Sequence, residues 1–545
     1  MNKALLVDSR DTVAVALKTL SPATEVVNGL KTLETIPAKH KVALRTFERG
    51  DAIRMYGVTV GSATGLIPAG GLLTTENVEH RIDAFSAAKR QPRNDWNAPD
   101  VSKWSHRTFL GYHRHNGQVG TANLWLVIPL VFCENRNVEA MREAVAETLG
   151  ADRSSRYQRL FKRLAFLRER GASPEEIMAE DLPEGEAKPP SLFPNVDGVK
   201  FLIHGQGCGG TGQDAASLCG LLAGYATHPN VAGVTVLSLG CQKAELRILE
   251  EEIARRDPQF RKPFHVYTQQ KSPSEQAMLT EALKRMFLGL DEIGEFEREP
   301  APLSALTIGM ECGGSDGFSG ISANPCLGRV ADNAVALGGK SILSEFPELC
   351  GVEGELLNRC RTNEAAERFE FLMRLYESRA QEVGTGFHLN PSPGNLADGL
   401  ITDAIKSAGA AKKGGTSPIV DVLDYPEWAK ESGLSLLCTP GGDVESTTAM
   451  AGAWANVMIF TTGLGTPTGN PVTPVIKVAT NSEMAHALKD IIDFDAGPII
   501  RGQTSIAELG DALFELVIEV ASGKQTCAMR LGQDDFLPWK RGVSL

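Results

Sequence analysis

No CxxC pair occurs among the ten cysteines of this chain, which disfavours a zinc ribbon or a thioredoxin-type redox site. Their scatter through a long chain also argues against a disulfide framework. Basic charge is not in excess. The formal net charge is -12, the wrong sign for nucleic acid, whose binding depends on Lys and Arg neutralising phosphates. An anionic small substrate stays open, because one pocket needs only a few local cations. Long apolar runs are missing as well. The longest, around Leu124 to Phe132, is about half of a membrane span. The opening MNKALLVDSRDT holds a short apolar run broken at once by Asp8 and Arg10, too brief for a signal peptide. A cytoplasmic protein is expected, engaging neither membrane nor nucleic acid.

What is present suits a folded protein of several parts. Apolar residues make up 42% and charged residues 22% of the 545, an ordinary balance over a length that implies about two to four domains. Residues 1–90 read as a small β-rich unit: the runs Lys41–Leu44, Ile53–Tyr56 and Val58–Val60 alternate with turns at Gly50, Gly57, Pro68 and Gly70. A helical period enters only at Asn77–Lys89. Residues 91–105 are polar, carry two prolines and lack periodicity, as a linker does; Trp96 and Trp104 offer it anchors. From His106 the pattern turns to apolar strands followed by amphipathic helices, the mark of α/β architecture. Residues 106–290 form a second domain with strands at Ala122–Phe132, Val199–His204 and Val234–Leu239, interrupted by a charged surface hairpin from Arg153 to Pro190. Residues 291–545 form a third domain, with strands at Ala305–Gly309, Lys340–Ser344, Ser435–Cys438, Val457–Thr461 and Pro474–Val478. Helices at Asn363–Ala380 and Ser482–Asp493 complete it.

Three glycine-rich turns follow strands. Gly205–Gly210 matches GxGxxG in a strand–turn–helix context, yet the next strand ends in Ser238-Leu239-Gly240-Cys241. No acidic residue there holds a ribose, and a tight turn is the favoured reading. Gly463–Gly469 leads into another strand, so no helix dipole serves a phosphate. More telling is Glu311-Cys312-Gly313-Gly314-Ser315-Asp316. Carboxylates, a thiol and a hydroxyl crowd a turn at a strand's C-terminal end, where open α/β sheets place ligands, and Glu311 and Asp316 offer oxygens to a hard divalent cation. Asn395 and Asn481 sit on further strand-end loops suited to a polyhydroxylated ligand. Lys477, near the end of a buried strand, is a candidate base or carboxylate anchor. His40, flanked by lysines before a strand, is either catalytic or a turn residue. His113 and His115 share a strand face without a third ligand nearby.

In order, these pieces resemble the altronate/galactarate dehydratase family over nearly the whole chain. His40-Lys41-Val42-Ala43-Leu44, Tyr56–Gly61 and Asn77 resemble its SAF-like β-clip domain; Gly117–Asn123, His204, Gly207-Cys208-Gly209 and Leu239-Gly240-Cys241 its second domain. Glu311–Asp316, Asn324-Pro325, Ser344-Glu345, Ser392–Asn395, Phe460–Gly463, Pro474–Lys477 and Thr480-Asn481 resemble its C-terminal region. A family His-x-His-Asn appears here as Thr74-Thr75-Glu76-Asn77. The resemblance implies a β-clip followed by α/β domains, the last a Rossmann-like parallel sheet variant, and a homodimer built through the second domain.

It also implies a hydro-lyase acting on an altronate-like hexonate or galactarate-like hexarate. A base removes the proton α to the carboxylate, the β-hydroxyl leaves as water, and the enol becomes a 2-keto-3-deoxy acid. The implied cofactor is a divalent metal, Fe2+ before Mn2+ or Mg2+. Glu311, Cys312, Asp316 and Asp443 form the pool of metal ligands; His40 and Lys477 are the acid–base candidates; Ser315, Asn324, Arg329, Asn395, Thr462 and Asn481 are expected to bind substrate. The alternatives are an iron–sulfur hydro-lyase using Cys208, Cys241 and Cys312, a C–S lyase acting on sulfolactate, and, behind these, a nucleotide-dependent oxidoreductase or a non-catalytic sensor.

Overall fold

The structure, a computed structural model, describes residues 3–27, 29–93, 95–146, 148–149, 155–183 and 191–544. Its N-terminal unit is built from short antiparallel strands. Ala4–Leu5, Val13–Ala16 and Lys41–Ala43 form one small sheet and Ala52–Met55, Val58–Ala63 and Val78–Glu79 another. Val15, Val42, Phe47 and Ile53 are buried, while Gly50 and Gly57 turn the chain with positive φ. The helical period over Asn77–Lys89 does not become a helix. Val78 and Glu79 pair instead with Ala63 and Ser62, and only Ala87–Lys89 makes a 3-10 turn. Strand pairing overrides a weak local period.

The linker is docked. Trp104 is buried, stacks edge-on against Phe514 and donates its indole N–H to Glu515, and Trp96 donates to Thr416. The second domain holds a parallel sheet ordered Gly198–Phe201, Leu124–Pro129, Val231–Ser238, Phe264–Thr268. Its central strands are apolar on both faces because helices cover both. Phe264–Thr268 escaped the sequence reading, its residues being half-buried at the sheet edge. The charged segment lies partly outside the described residues; the rest forms helices Ser155–Glu169 and Pro174–Met178, clipped together by Arg163 and Glu180.

The C-terminal domain is a seven-stranded parallel sheet. Its order is Ile419–Leu423, Gly433–Leu437, Lys340–Leu343, Thr307–Cys312, Val457–Thr462, Val475–Ala479, Phe494–Asp495. The first strand in sequence, Thr307–Cys312, has the second on one side and the fifth on the other. The winding direction therefore reverses between Thr307–Cys312 and Val457–Thr462, and an open α/β sheet opens a crevice at such a point. That strand runs three residues beyond the Gly309 expected from sequence, so Glu311 and Cys312 belong to the sheet itself. Helix Ser482–Ala487 stops short of the expected Asp493.

Candidate active site

At the reversal point the C-terminal strand ends deliver an unusual load of buried charge. Glu311 and Cys312 end one strand; Glu345 follows the next; Asp443 opens the helix Asp443–Gly452 behind a third. Oxygens of Glu311, Glu345 and Asp443 lie within 4.8 Å of one another, and so do donor atoms of Cys312, Glu345 and Glu348. Glu311 and Glu345 are wholly buried. Burial, and then the charge of Glu345, pushes the Glu311 carboxyl well above the usual range; burial and Glu348 raise that of Glu345. Asp443 is pushed up to about 7 by burial and by Glu345.

Lysines partly offset this. Lys413 Nζ, itself buried, lies 2.6 Å from Glu345 Oε2 and 3.0 Å from Cys312 Sγ. Burial opposes its charge, but the thiol and the surrounding carboxylates hold the ammonium well above its ordinary value. Lys406 pairs with Glu348 at 2.7 Å. Ser446 Oγ donates to Glu311 Oε2 at 2.5 Å. Two acceptors stay unserved: among the described residues, Glu311 Oε1 and Glu345 Oε1 are buried without a hydrogen-bond partner. Removing ions from water costs several kcal/mol each, so an under-satisfied cluster of this kind is a poor device for stability. Glu345 also holds a left-handed backbone, φ 66°, a strain of about 1–3 kcal/mol that concentrates at functional sites. The orphaned oxygens, with a thiol beside them, fit a divalent cation.

Lys477 closes one side. Wholly buried, it donates to the Thr466 carbonyl at 2.9 Å and lies 3.8 Å from the centre of the Phe460 ring. Burial pushes its ammonium down to about 7, with Asp443 pulling the other way. Asp443 approaches the backbone at Gly313, where a Cβ would stand 2.1 Å from its Oδ2. A side chain there would displace the carboxylate.

Other residues expected from sequence stand on the rim formed by neighbouring strand-end loops, bonded to their own surroundings. Asn395 donates to the Ser315 carbonyl at 2.7 Å, Thr462 accepts from the Gly465 and Thr466 amides, and Asn481 caps its helix beside Thr480. The N-terminal unit reaches this rim: a Cβ on Gly317 or Gly399 would meet the Lys39 carbonyl. His40 is half-buried, with Nδ1 3.1 Å from the Ala38 carbonyl, and makes no described contact with the carboxylate cluster.

Three of the expected residues stand apart from the cluster. Asp316 does not join the cluster: its carboxylate pairs with Lys39 at 3.1 Å and accepts from Ser319, the Phe318 amide and Thr480. Arg329 faces the helix Ile506–Ala521, paired with Asp511. Asn324 is buried between the Gly409 carbonyl and Thr461. The cysteines proposed as cluster ligands are also apart in character: Cys208 and Cys241 are exposed in the second domain, whereas Cys312 is buried beside Lys413. His113 bonds the Pro300 carbonyl and His115 pairs with Asp257, two separate structural roles.

A cavity of about 300 Å3 lies elsewhere, lined by Gly205–Thr211, Lys243 and Lys540. Its polar groups are already used. Thr211 and Asp214 form a capping box, Lys243 donates to the Gly210 carbonyl, and the Arg541 and Gly542 amides donate to Asp214. The turn is a helix cap under the C-terminal tail. Sequence reasoning gave no site role to Glu345, Glu348, Lys406 or Lys413, although Ser344-Glu345 was among the segments carrying the resemblance. Ser344-Glu345 ends a strand and was a usable signal; Lys413 lies in a small-residue run with no period to mark its direction.

Fold and site together define an enzyme class: a three-part α/β protein with a buried carboxylate–lysine–thiol centre at a sheet's winding reversal. Comparison with known proteins gives the family. Residues 2–81 match the altronate/galactarate dehydratase SAF domain, 111–293 the D-galactarate dehydratase/altronate hydrolase second domain, and 303–544 the D-galactarate/altronate dehydratase C-terminal domain. Altronate dehydratase of Escherichia coli K12 is 34% identical over 98% of both chains. Altronate dehydratase of Bacillus subtilis 168 is 32% identical over the full length of both, and galactarate dehydratase (L-threo-forming) of E. coli is 30% identical over 95% of this chain and 92% of its own. The chain belongs to the altronate/galactarate dehydratase family.

Proposed function

We propose that this protein is a metal-dependent sugar-acid dehydratase, converting a hexonate of the altronate type or a hexarate of the galactarate type to a 2-keto-3-deoxy acid. The observation that carries the reading is the pair of orphaned oxygens on Glu311 and Glu345, buried with Asp443 beside an amine of lowered basicity. Glu311, Glu345 and Asp443 would hold the cation, with Cys312 and Glu348 next to them. The thiol favours Fe2+ over Mg2+. When bound, that cation supplies Lewis acidity against the second negative charge of the enediolate, a contribution of several kcal/mol.

The chain's own groups do the rest. Lys477, about half neutral at pH 7, accepts the proton α to the substrate carboxylate; a base whose pKa matches the working pH maximises this transfer. Ser315, Asn395, Thr462 and Asn481 line the rim where hydroxyls bind. Lys413 and Lys406 keep the cluster's net charge low enough for an anionic substrate to enter. His40, carried to the rim by the N-terminal unit, protonates the departing β-hydroxyl. The enol then tautomerises to the keto acid.

The test is anaerobic turnover of a panel of aldonates and aldarates with Fe2+, Mn2+ or Mg2+, reading 2-keto-3-deoxy acid. Product from one acid, abolished by chelator, is expected. No product from any acid, with folded and metal-loaded protein, defeats the proposal. Full activity in His40→Ala removes His40 from the mechanism.

A further inference from the structure

A second group of metal-type donors lies away from the carboxylate cluster. His80 follows the strand Val78–Glu79 of the N-terminal unit, Asp403 opens the helix Asp403–Ala410, and Cys350 ends the 3-10 turn Phe346–Leu349. One donor atom from each, nitrogen, oxygen and sulfur, lies within 4.8 Å of the other two. We propose that His80, Cys350 and Asp403 form a Zn2+ site that pins the N-terminal unit to the C-terminal domain.

A plain His–Asp pair does not account for the geometry. His80 Nδ1 and Asp403 Oδ1 are 2.6 Å apart, which satisfies one carboxylate oxygen. The other, Asp403 Oδ2, is buried without a hydrogen-bond partner on a side chain only 1% exposed. Cys350 is buried too, and burial together with Glu353 and Asp403 pushes its thiol up. Acidic groups thus converge on a thiol, and among the described residues His80 is the group paired with them. A tetrahedral zinc with bonds of about 2.0–2.3 Å separates its ligands by roughly 3.3–3.8 Å, so the three donors need move little. His80 is 38% exposed, which leaves a fourth position open to water. Mixed nitrogen, sulfur and oxygen donors suit zinc rather than magnesium or calcium, in contrast to the oxygen-rich cluster at Glu311. The site spans two domains, since His80 comes from one and Cys350 and Asp403 from the other. The neighbouring bond from Thr402 Oγ1 to the Val60 carbonyl shows the two surfaces in contact.

The full-length protein, stripped with chelator, is titrated with Co2+ and separately dialysed against Zn2+. A thiolate-to-Co2+ absorption is expected in the parent chain and in Cys312→Ser, and is lost in Cys350→Ser. His80→Ala, a gentler change at a half-exposed side chain, binds one Zn2+ fewer per chain with an unchanged circular dichroism spectrum, whereas Glu345→Gln keeps that ion. Equal zinc content in the parent, His80→Ala and Cys350→Ser overturns the proposal. So does an absorption that follows Cys312 instead of Cys350.

Discussion

At Lys477 two forces oppose one another: burial removes water from the ammonium, while Asp443 and Glu311 favour its charge. Burial wins, and the amine titrates near 7. With Lys477 as the proposed base, turnover is expected to fall as pH drops below that value, by about tenfold per unit. Lys477→Met is expected to lose about 10²–10⁴-fold in kcat and to flatten this limb of the pH–rate profile; a variant that keeps the limb shows that another group titrates. Gly313 makes a different point. Adding a Cβ puts it 2.1 Å from Asp443 Oδ2 and 2.6 Å from Cζ of the buried Phe460 ring, so the carboxylate must swing away and the ring must shift. Gly313→Ala should lose about 10²-fold in activity and about 1–3 kcal/mol of stability from overpacking, checked by thermal scans beside turnover.

Elements carry the site by where they stop. Thr307–Cys312, Lys340–Leu343 and Gly433–Leu437 end on one edge, which is why residues more than a hundred positions apart meet. The strand centres were legible because they are apolar and β-branched; their ends were not, since hydrogen bonding across the sheet extended Thr307–Cys312 over Glu311. The linker shows the same limit. Polar composition marked it as a connection, and its tryptophans as anchors, but the pocket for Trp104 is built by Phe514 and Glu515 four hundred residues on. Trp104→Ala should cost about 3–5 kcal/mol, read as a lowered denaturation midpoint of the C-terminal domain.

For the molecule as a whole, the N-terminal unit is held to the C-terminal domain by charge as well as by packing. Lys39 pairs with Asp316, whose side chain is fully buried, and Lys41 donates to the Gly399 carbonyl at 2.5 Å. Lys39→Met leaves Asp316 without its closest cation, a loss of about 3–5 kcal/mol for a broken buried pair. The expected result is a lower unfolding temperature and reduced turnover, because His40 is the next residue. Parent-like values for both would show that the two domains dock independently of this pair.

Local pattern was enough for the alternation of strands and helices and for placing Glu311, Cys312 and Lys477 near strand ends, because period and composition are properties of neighbouring residues. Local pattern could not show that Asp316 pairs with Lys39 or Arg329 with Asp511. Which carboxylates are paired and which keep a free oxygen depends on cations arriving from distant segments: Lys39 for Asp316, Lys413 for Glu345. That assignment is a long-range electrostatic outcome of the folded chain. No spacing within the sequence encodes it.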